Sequence, residues 1–218
     1  LSLRRQRQMC IRDRKNIDIR DFIDLIGKNE LPNYLKSNSQ IEAIIHMGAI
    51  SATTENNFNN LLKSNIRYSQ FLWDWASANQ VPLIYASSAA TYGDGEFGYK
   101  DNSDALLNYK PLNAYGYSKH FFDMWVQNQL QQNLPKPPKW FGLKFFNVYG
   151  PNEYHKGRMA SVVYHAFNQF KKDGEVRLFK SKNPEFKDGM QLRDFIYVKD
   201  AVRCLSLIHI SEPTRRRG

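Results

Sequence analysis

The stretch Pro111-Leu-Asn-Ala-Tyr-Gly-Tyr-Ser-Lys119 sets a tyrosine and a lysine four residues apart, Tyr115 and Lys119. On a helix that spacing stacks the two side chains on one face. A free phenol has a pKa of about 10 and is a poor base at neutral pH. A neighbouring ammonium favours the phenolate and lowers that pKa, so the pair is expected to pass a proton to or from a hydroxyl group. Tyr-x-x-x-Lys by itself is a weak signal, and its surroundings strengthen it. Upstream, the apolar run Val81 to Ile84 reads as a buried strand that delivers Tyr85-Ala-Ser-Ser-Ala-Ala-Thr-Tyr-Gly93. Downstream, Trp140 to Phe146 reads as another, delivering Asn147-Val-Tyr-Gly-Pro151.

A further buried strand lies in Ile41-Glu-Ala-Ile-Ile-His-Met-Gly-Ala-Ile-Ser51, breaking at Gly48-Ala49. Small residues at the end of a parallel strand let a ligand approach the backbone closely. His46 reads as packed or hydrogen-bonded rather than chemical. Thr53-Thr54-Glu55 offers hydroxyl caps for a helix running through Gln80. Its Leu62, Ile66, Ser69, Leu72, Trp73 and Ala76 recur as a core-facing stripe. The Tyr115 helix continues through Phe121, Phe122, Met124, Trp125 and Leu130, a core or subunit face. It is expected to end where Gln131 to Pro138 brings in three prolines. Lys15 to Phe22 reads as a short strand followed by acids, and Asn29 to Gln40 as a loop or short helix. Strands alternating with helices make this an α/β chain.

A chain of 218 residues can form one sizeable core, or one domain and part of another. No apolar run approaches the ~20 residues that span a bilayer, so no membrane segment is expected. The net charge of +10 invites a nucleic-acid reading, but its distribution argues against one. Residues 1–14 hold five arginines and one aspartate, and residues 205–218 hold three arginines and one glutamate. The intervening 15–204 therefore carry only +4, unremarkable for a domain that binds anionic ligands. Both ends, through Arg-Gln-Met-Cys-Ile-Arg-Asp-Arg14 and Leu205-Ser-Leu-Ile-His-Ile-Ser-Glu-Pro-Thr-Arg, resemble translated sequencing-adapter read-through and are set aside from the fold. Cys10 and Cys204 stand at these ends and suggest neither a metal site nor a disulfide. No metal, no nucleic-acid partner and no membrane partner are expected, and the location is expected to be cytoplasmic.

The three stretches around Ser88, Tyr115 and Asn147, in that order, resemble the extended short-chain dehydrogenase/reductase family of nucleotide-sugar enzymes. The resemblance implies an α/β fold, a Rossmann-like doubly wound parallel sheet truncated at both ends, with part of a smaller substrate domain. Between the adapter-like, non-native tails at 1–14 and 205–218, it implies a partial NADP-binding domain at 15–150 and a partial substrate-binding region at 151–204. It implies a catalytic triad of Ser88, Tyr115 and Lys119, Thr91 being a neighbour that could share the hydroxyl's work. Met47, Gly48, Ala49, Ile50 and Ser51 would line the dinucleotide, with Asp18 or Asp21 near its adenine. Asn65 stands where the family braces the active-site helix and its ordered water, and is counted with the cofactor residues, as is Lys119 at the nicotinamide ribose. Asn147 would touch the substrate, and the backbone near Val148 would face the nicotinamide.

The stretch Glu153-Tyr-His-Lys-Gly-Arg-Met-Ala-Ser161 discriminates within that family. His-Lys-Gly, a spacer and Met-Ala-Ser, with the motifs above, resemble the ADP-glyceromanno-heptose 6-epimerases, over residues 15 to 201. Those enzymes invert C6 of an ADP-bound heptose for lipopolysaccharide cores. The implied reaction oxidises the C6 alcohol to a 6-ketone with bound NADP and returns hydride to the opposite face. Each face then needs its own proton carrier, Tyr115 for one and Lys156 for the other, with Ser88 polarising the oxygen. Substrate contacts implied by the resemblance are Arg158, His165, Phe179, Lys180, Ser181, Lys182 and Arg193. Arg158 departs from the small polar residue usual there. Phe179 would close a short strand from Val176, and the planar fork of Arg193 suits a phosphate.

Other readings are a nucleotide-sugar 4-epimerase or dehydratase, or a non-catalytic fragment. Ala89-Ala90 after Ser88 argue against a dehydratase, which carries an Asp-Glu pair there. No G-x-x-G-x-x-G occurs, and with it is missing the residue that chooses between NAD and NADP, so the choice of NADP, with NAD as the alternative, is the family's. Lacking that phosphate cradle, the 218-residue chain is expected to bind cofactor poorly and to be inactive. The full-length enzyme would be a homo-oligomer acting on ADP-heptose.

Overall fold

The computed structural model describes residues 24–210 apart from 39, 182 and 183; the side chains of Ser103 and residues 207–210 are left aside. The expected strand at 15–22 with Asp18 and Asp21, the segment 1–14 with Cys10, and Lys182 lie outside the described residues. Two compact units divide between Phe145 and Phe146, earlier than the expected boundary at 150.

In the first unit come α1 (Leu31–Ser37), β1 (Ile44–His46) and α2 (Phe58–Leu61). A π-helical turn, Leu62–Arg67, joins α2 to α3 (Tyr68–Ala78). Next are β2 (Leu83–Ser88), a 3-10 turn at Ala89–Tyr92, α4 (Ser103–Leu106), α5 (Ala114–Gln131) and β3 (Trp140–Phe145). The strands form a parallel sheet in the order β1-β2-β3. Ile44 lies opposite Leu83 and His46 opposite Tyr85; Leu83 lies opposite Trp140 and Ser88 opposite Phe145. Ser88 thus ends β2 at the sheet's carboxyl edge, where parallel α/β sheets hold their ligands.

Aromatic packing fixes the two long helices to the sheet. Trp73 of α3 is fully buried, its ring centroid 5.4 Å from Trp140 on β3 and 6.1 Å from Trp125 on α5. Tyr85 on β2 meets Phe122 on α5 edge to face at 4.9 Å. Ala76, Val81, Leu83 and Val126 complete this core. Aromatic pairs of this geometry contribute about 0.5–1.5 kcal/mol each beyond the area they bury. The expected stripe is present, with one change: the π turn makes Leu61, rather than Leu62, the fully buried leucine.

The expected Thr53-Thr54 cap is corrected. Those residues form a turn, and the helix starts later because the Asn57 side chain accepts the N–H groups of Asn59 and Asn60. Asn113 caps α5, accepting the Gly116 N–H at 2.8 Å. α5 ends at Gln131, before the prolines, as expected.

The second unit contains β4 (Asn147–Tyr149), a 3-10 segment at Glu153–Met159, α6 (Val162–Asp173), β5 (Phe195–Tyr197) and α7 (Val198–Ile210). β4 pairs in parallel with β5, Val148 opposite Ile196. The strand expected at Val176–Phe179 is not formed. Instead Phe179 accepts the Gly189 N–H, closing a loop, and no ladder partner for the segment exists among the described residues.

Candidate functional site

Ser88, Tyr115 and Lys119 come together at the carboxyl end of β2. The Ser88 hydroxyl caps the following turn, accepting the Ala90 N–H at 3.2 Å, and interacts with the Tyr115 phenol. The start of α5 can press against that turn because residue 116 is glycine. A Cβ there would stand 2.8 Å from the Ala90 carbonyl oxygen and 2.9 Å from the Pro111 ring, neither of which can swing away. Lys119 is 4% exposed, and its ammonium donates to the Ala86 carbonyl of β2 at 2.7 Å.

The expected lowering of the Tyr115 pKa by Lys119 is corrected. Burial raises the phenol above its ordinary value, and the Ser88 interaction only partly opposes this. Burial also lowers Lys119 to about 8, despite the opposing attraction of Asp123. The two pKa values are thereby driven apart, burial favouring the neutral form of each group. His46 is buried against Ser69 at 2.9 Å, the packed role expected of it. Its burial, and then the charge of Lys119, hold its imidazole down to about 4, so it is neutral at pH 7.

Thr91 does not share the hydroxyl's work. It is fully buried, donating to the Ser88 carbonyl at 2.8 Å and accepting from Lys144 at 2.7 Å. Asn65, 1% exposed, lies in the π turn, whose wider winding is frequent at functional sites. Its Oδ1 accepts the Ile50 N–H at 2.9 Å, and its Nδ2 donates to Ile50 O at 3.0 Å and to Ser118 Oγ at 2.9 Å. Its amide is thus engaged inside the protein and ties Ile50 to Ser118 of α5.

Met47, Gly48, Ala49 and Ile50 follow β1 and line a cavity of about 560 Å³ together with His46, Ser64 and Tyr68. Gly48 has open space where a side chain would stand, and Met47 is exposed. Ser51 is exposed just beyond them. Backbone and open space at the end of a parallel strand suit the close approach of a dinucleotide.

The remaining expected residues lie in the second unit. Lys156 sits on the 3-10 segment, 41% exposed and 3.5 Å from the Glu153 carboxylate. Glu153 is buried and accepts the N–H groups of Gly150 (3.1 Å) and Ser161 (2.8 Å) and the Ser161 hydroxyl (2.7 Å). Burial alone would raise its pKa; these hydrogen bonds, joined by the charge of Lys156, bring it below its ordinary value. Gly157 takes φ +52 behind Lys156, a backbone state that favours glycine. Arg158, Phe179, Lys180 and Arg193 are exposed, and Ser181 and His165 half-buried. The Asn147 amide donates to the Asp194 carbonyl at 2.8 Å, and Val148 is half-buried within β4.

The sequence reading did not single out Asp123 and Lys144, which hydrogen-bond at the end of β2, or, in the second unit, Glu153, which pairs with Lys156. Asp123 was findable, one further helical turn beyond Tyr115 and Lys119. Lys144 was findable as the lone charge in the apolar strand Trp140–Phe145.

A family model described as the NAD dependent epimerase/dehydratase family matches residues 3–215. The chain is 52% identical over 202 residues to the ADP-L-glycero-D-manno-heptose-6-epimerase of Fusobacterium nucleatum, covering 90% of this chain and 60% of that protein. It is 40% identical over 206 residues to the enzyme of the same name from Pseudomonas aeruginosa, covering 94% and 59%. The crystal structure of the Helicobacter pylori ADP-L-glycero-D-manno-heptose-6-epimerase superposes with a TM-score of 0.69 at 29% identity, over 87% of this chain and 56% of that one. The chain therefore spans about 60% of the length of the curated relatives it matches. With a parallel sheet whose strand β2 ends at Ser88, beside Tyr115 and Lys119 of α5, and a family model matching nearly end to end, the chain belongs to the NAD dependent epimerase/dehydratase family.

Proposed function

We propose that this chain carries the catalytic residues of an ADP-L-glycero-D-manno-heptose 6-epimerase, which inverts C6 of ADP-D-glycero-D-manno-heptose for lipopolysaccharide core biosynthesis. The observation that carries the reading is the Ser88–Tyr115–Lys119 cluster, in a chain 52% identical to a relative of that name.

The cofactor is a nicotinamide dinucleotide, and NADP rather than NAD. Met47 to Ser51 hold it along the exposed backbone after β1, where Gly48 leaves space and Asn65 fixes Ile50. When bound, the nicotinamide supplies the hydride acceptor that makes a 6-ketone of the sugar and the hydride donor that reduces it again. Tyr115 Oη takes the proton from the C6 hydroxyl as that carbon is oxidised, and Ser88 Oγ donates a hydrogen bond to the same oxygen. Lys119, with a pKa of about 8, is mostly protonated at pH 7, so its charge favours the phenolate once Tyr115 loses its proton. Lys119 and the backbone at Val148 would hold the nicotinamide end of the cofactor. Lys156 Nζ supplies the proton for the opposite face.

Arg193 binds the diphosphate, and Asn147, Arg158, His165, Phe179, Lys180, Ser181 and Lys182 contact the rest of ADP-heptose. Among the described residues no helix is long and apolar enough to cross a membrane. The enzyme works in the cytoplasm as a homo-oligomer.

The test is C6 inversion of ADP-D-glycero-D-manno-heptose with NADP, followed by NMR on the full reading frame at the source locus. The L-glycero product is expected. Binding of ADP-heptose with C6 left unchanged would overturn the reading.

A further inference from the structure

Beneath Ser88 lies a half-buried charged group that the reaction scheme above does not use. The Lys144 ammonium, on β3, donates to Thr91 Oγ1 and to Asp123 Oδ2, both at 2.7 Å, and lies 5.2 Å from the centre of the Tyr92 ring. Asp123 Oδ2 also accepts the Ser87 hydroxyl at 2.6 Å. Thr91 in turn donates to the Ser88 carbonyl. Both serines that end β2 are thus tied, one through Asp123 and one through Thr91, to a single ammonium on the neighbouring strand. Asp123 is one helical turn beyond Lys119, as Lys119 is beyond Tyr115. Its Oδ1 makes no hydrogen bond although the residue is buried.

A buried carboxylate so placed has two ammonium groups to choose from. It binds Lys144, and this leaves the Lys119 ammonium on the Ala86 carbonyl. We propose that Lys144 is a positioning residue for the Ser88–Tyr115–Lys119 cluster: clamped between Thr91 and Asp123, it fixes the end of β2 against α5 and keeps Asp123 from capturing Lys119. The proposal deepens the reading of those three residues as the reacting groups. Its test needs no turnover, so the two can fail separately.

The groups facing this carboxylate are Tyr85 on β2, Tyr92 in the following turn, Lys119 and His120 on α5, and Lys144 on β3. His46, on β1, faces Lys119. Asp123 already pulls the Lys119 pKa upward, against burial. The measurement is therefore the titration of Lys119 by NMR, in the 218-residue chain reductively methylated with carbon-13, its signal assigned by absence in K119R.

In Lys144→Met, Asp123 keeps the Ser87 hydroxyl but loses its ion-pair partner and turns to Lys119, whose titration moves up by about one pH unit. In the double variant Asp123→Asn with Lys144→Met, no buried charge is orphaned, and Lys119 titrates below its value of about 8. In Lys144→Arg, which keeps the charge, it stays near that value. Lys119 titrating alike in all folded variants would overturn the proposal. So would failure of both Lys144→Met variants to fold beside a folded Lys144→Arg, since the pair would then serve stability alone.

Discussion

Lys119 and Lys156 are the two lysines assigned to the reaction, and they are held in opposite ways. Lys119 stands on an 18-residue helix, 4% exposed, its ammonium fixed on the β2 backbone and its pKa lowered by burial to about 8. Lys156 stands on a 3-10 segment, 41% exposed, with one carboxylate for a partner. Burial and regular structure prepare the first. The second depends on Glu153, which ties the loop's two ends by accepting from Gly150 and Ser161 while it pairs with Lys156. A group that tunes a proton has to be desolvated, and one that serves an opposite face only has to be presented.

The sharpest way to break this contrast is to remove the reacting groups in turn, in the full reading frame. Tyr115→Phe deletes the phenolic proton carrier at little cost in volume, and general acid–base catalysis of this kind is worth about 10²–10⁴-fold. C6 inversion is expected to fall by about 10³-fold while ADP-heptose still binds. Lys156→Met is expected to suppress inversion to a similar degree, yet to leave substrate-dependent reduction of the nicotinamide, because oxidation at the first face needs only Tyr115. Loss of that reduction as well would remove the division of labour between Tyr115 and Lys156.

The supports come next in size. Gly116→Ala forces a methyl group against the Ala90 carbonyl and Pro111, and overpacking of this sort costs about 1–3 kcal/mol. A lower thermal midpoint of the 218-residue chain is expected. A midpoint unchanged by the added methyl would show that the start of α5 is not pinned. Glu153→Ala leaves the N–H groups of Gly150 and Ser161 without their acceptor, at a cost of about 1–3 kcal/mol. Hydrogen exchange is expected to quicken at those two amides and to stay slow in β2 and α5. Uniform quickening throughout the chain would break the comparison from the other side.

What the sequence made legible follows from what kind of force holds each part. Apolar runs announce parallel strands, and from the run Val81 to Ile84 β2 was readable as far as Ala86; the strand reaches Ser88, its last two residues being serines tied down by side-chain bonds that no hydropathy pattern carries. Tyr115 and Lys119 were readable because helical spacing is local. The sign of the Tyr115 shift was not, since it depends on how deeply the helix face is buried, a tertiary quantity. Asn65 was readable as a brace but not as one whose amide is wholly engaged, which requires knowing that Ile50 and Ser118 converge on it. The Thr53-Thr54 cap failed because any of several polar residues could have capped that helix, and Asn57 is the one whose side chain reaches. Val176–Phe179 has strand composition without a strand, since pairing needs a partner edge that the spacing of residues cannot supply.

Acid distinguishes the two regions by the smallest effect, and the sign follows from which state takes up the proton first. His46 has a folded pKa of about 4, below the 6.5 of a free imidazole, so the unfolded chain binds the proton first as pH falls. Its contribution to stability is complete above pH 6.5 and is lost as pH drops toward about 4. Glu153 is also depressed, but from 4.5, so its contribution is complete above that value and begins to be lost only below it. Protection of β1 and α3, which meet at His46 and Ser69, is therefore expected to begin weakening as pH falls through 6.5, while the amides of Gly150 and Ser161 stay protected until it falls below 4.5. His46→Gln, which keeps a polar group beside Ser69 and cannot titrate, should flatten the first loss and leave the second untouched. If both losses persist in that variant, a different group governs the acid response of the β1 edge, and the neutral His46 is only packing.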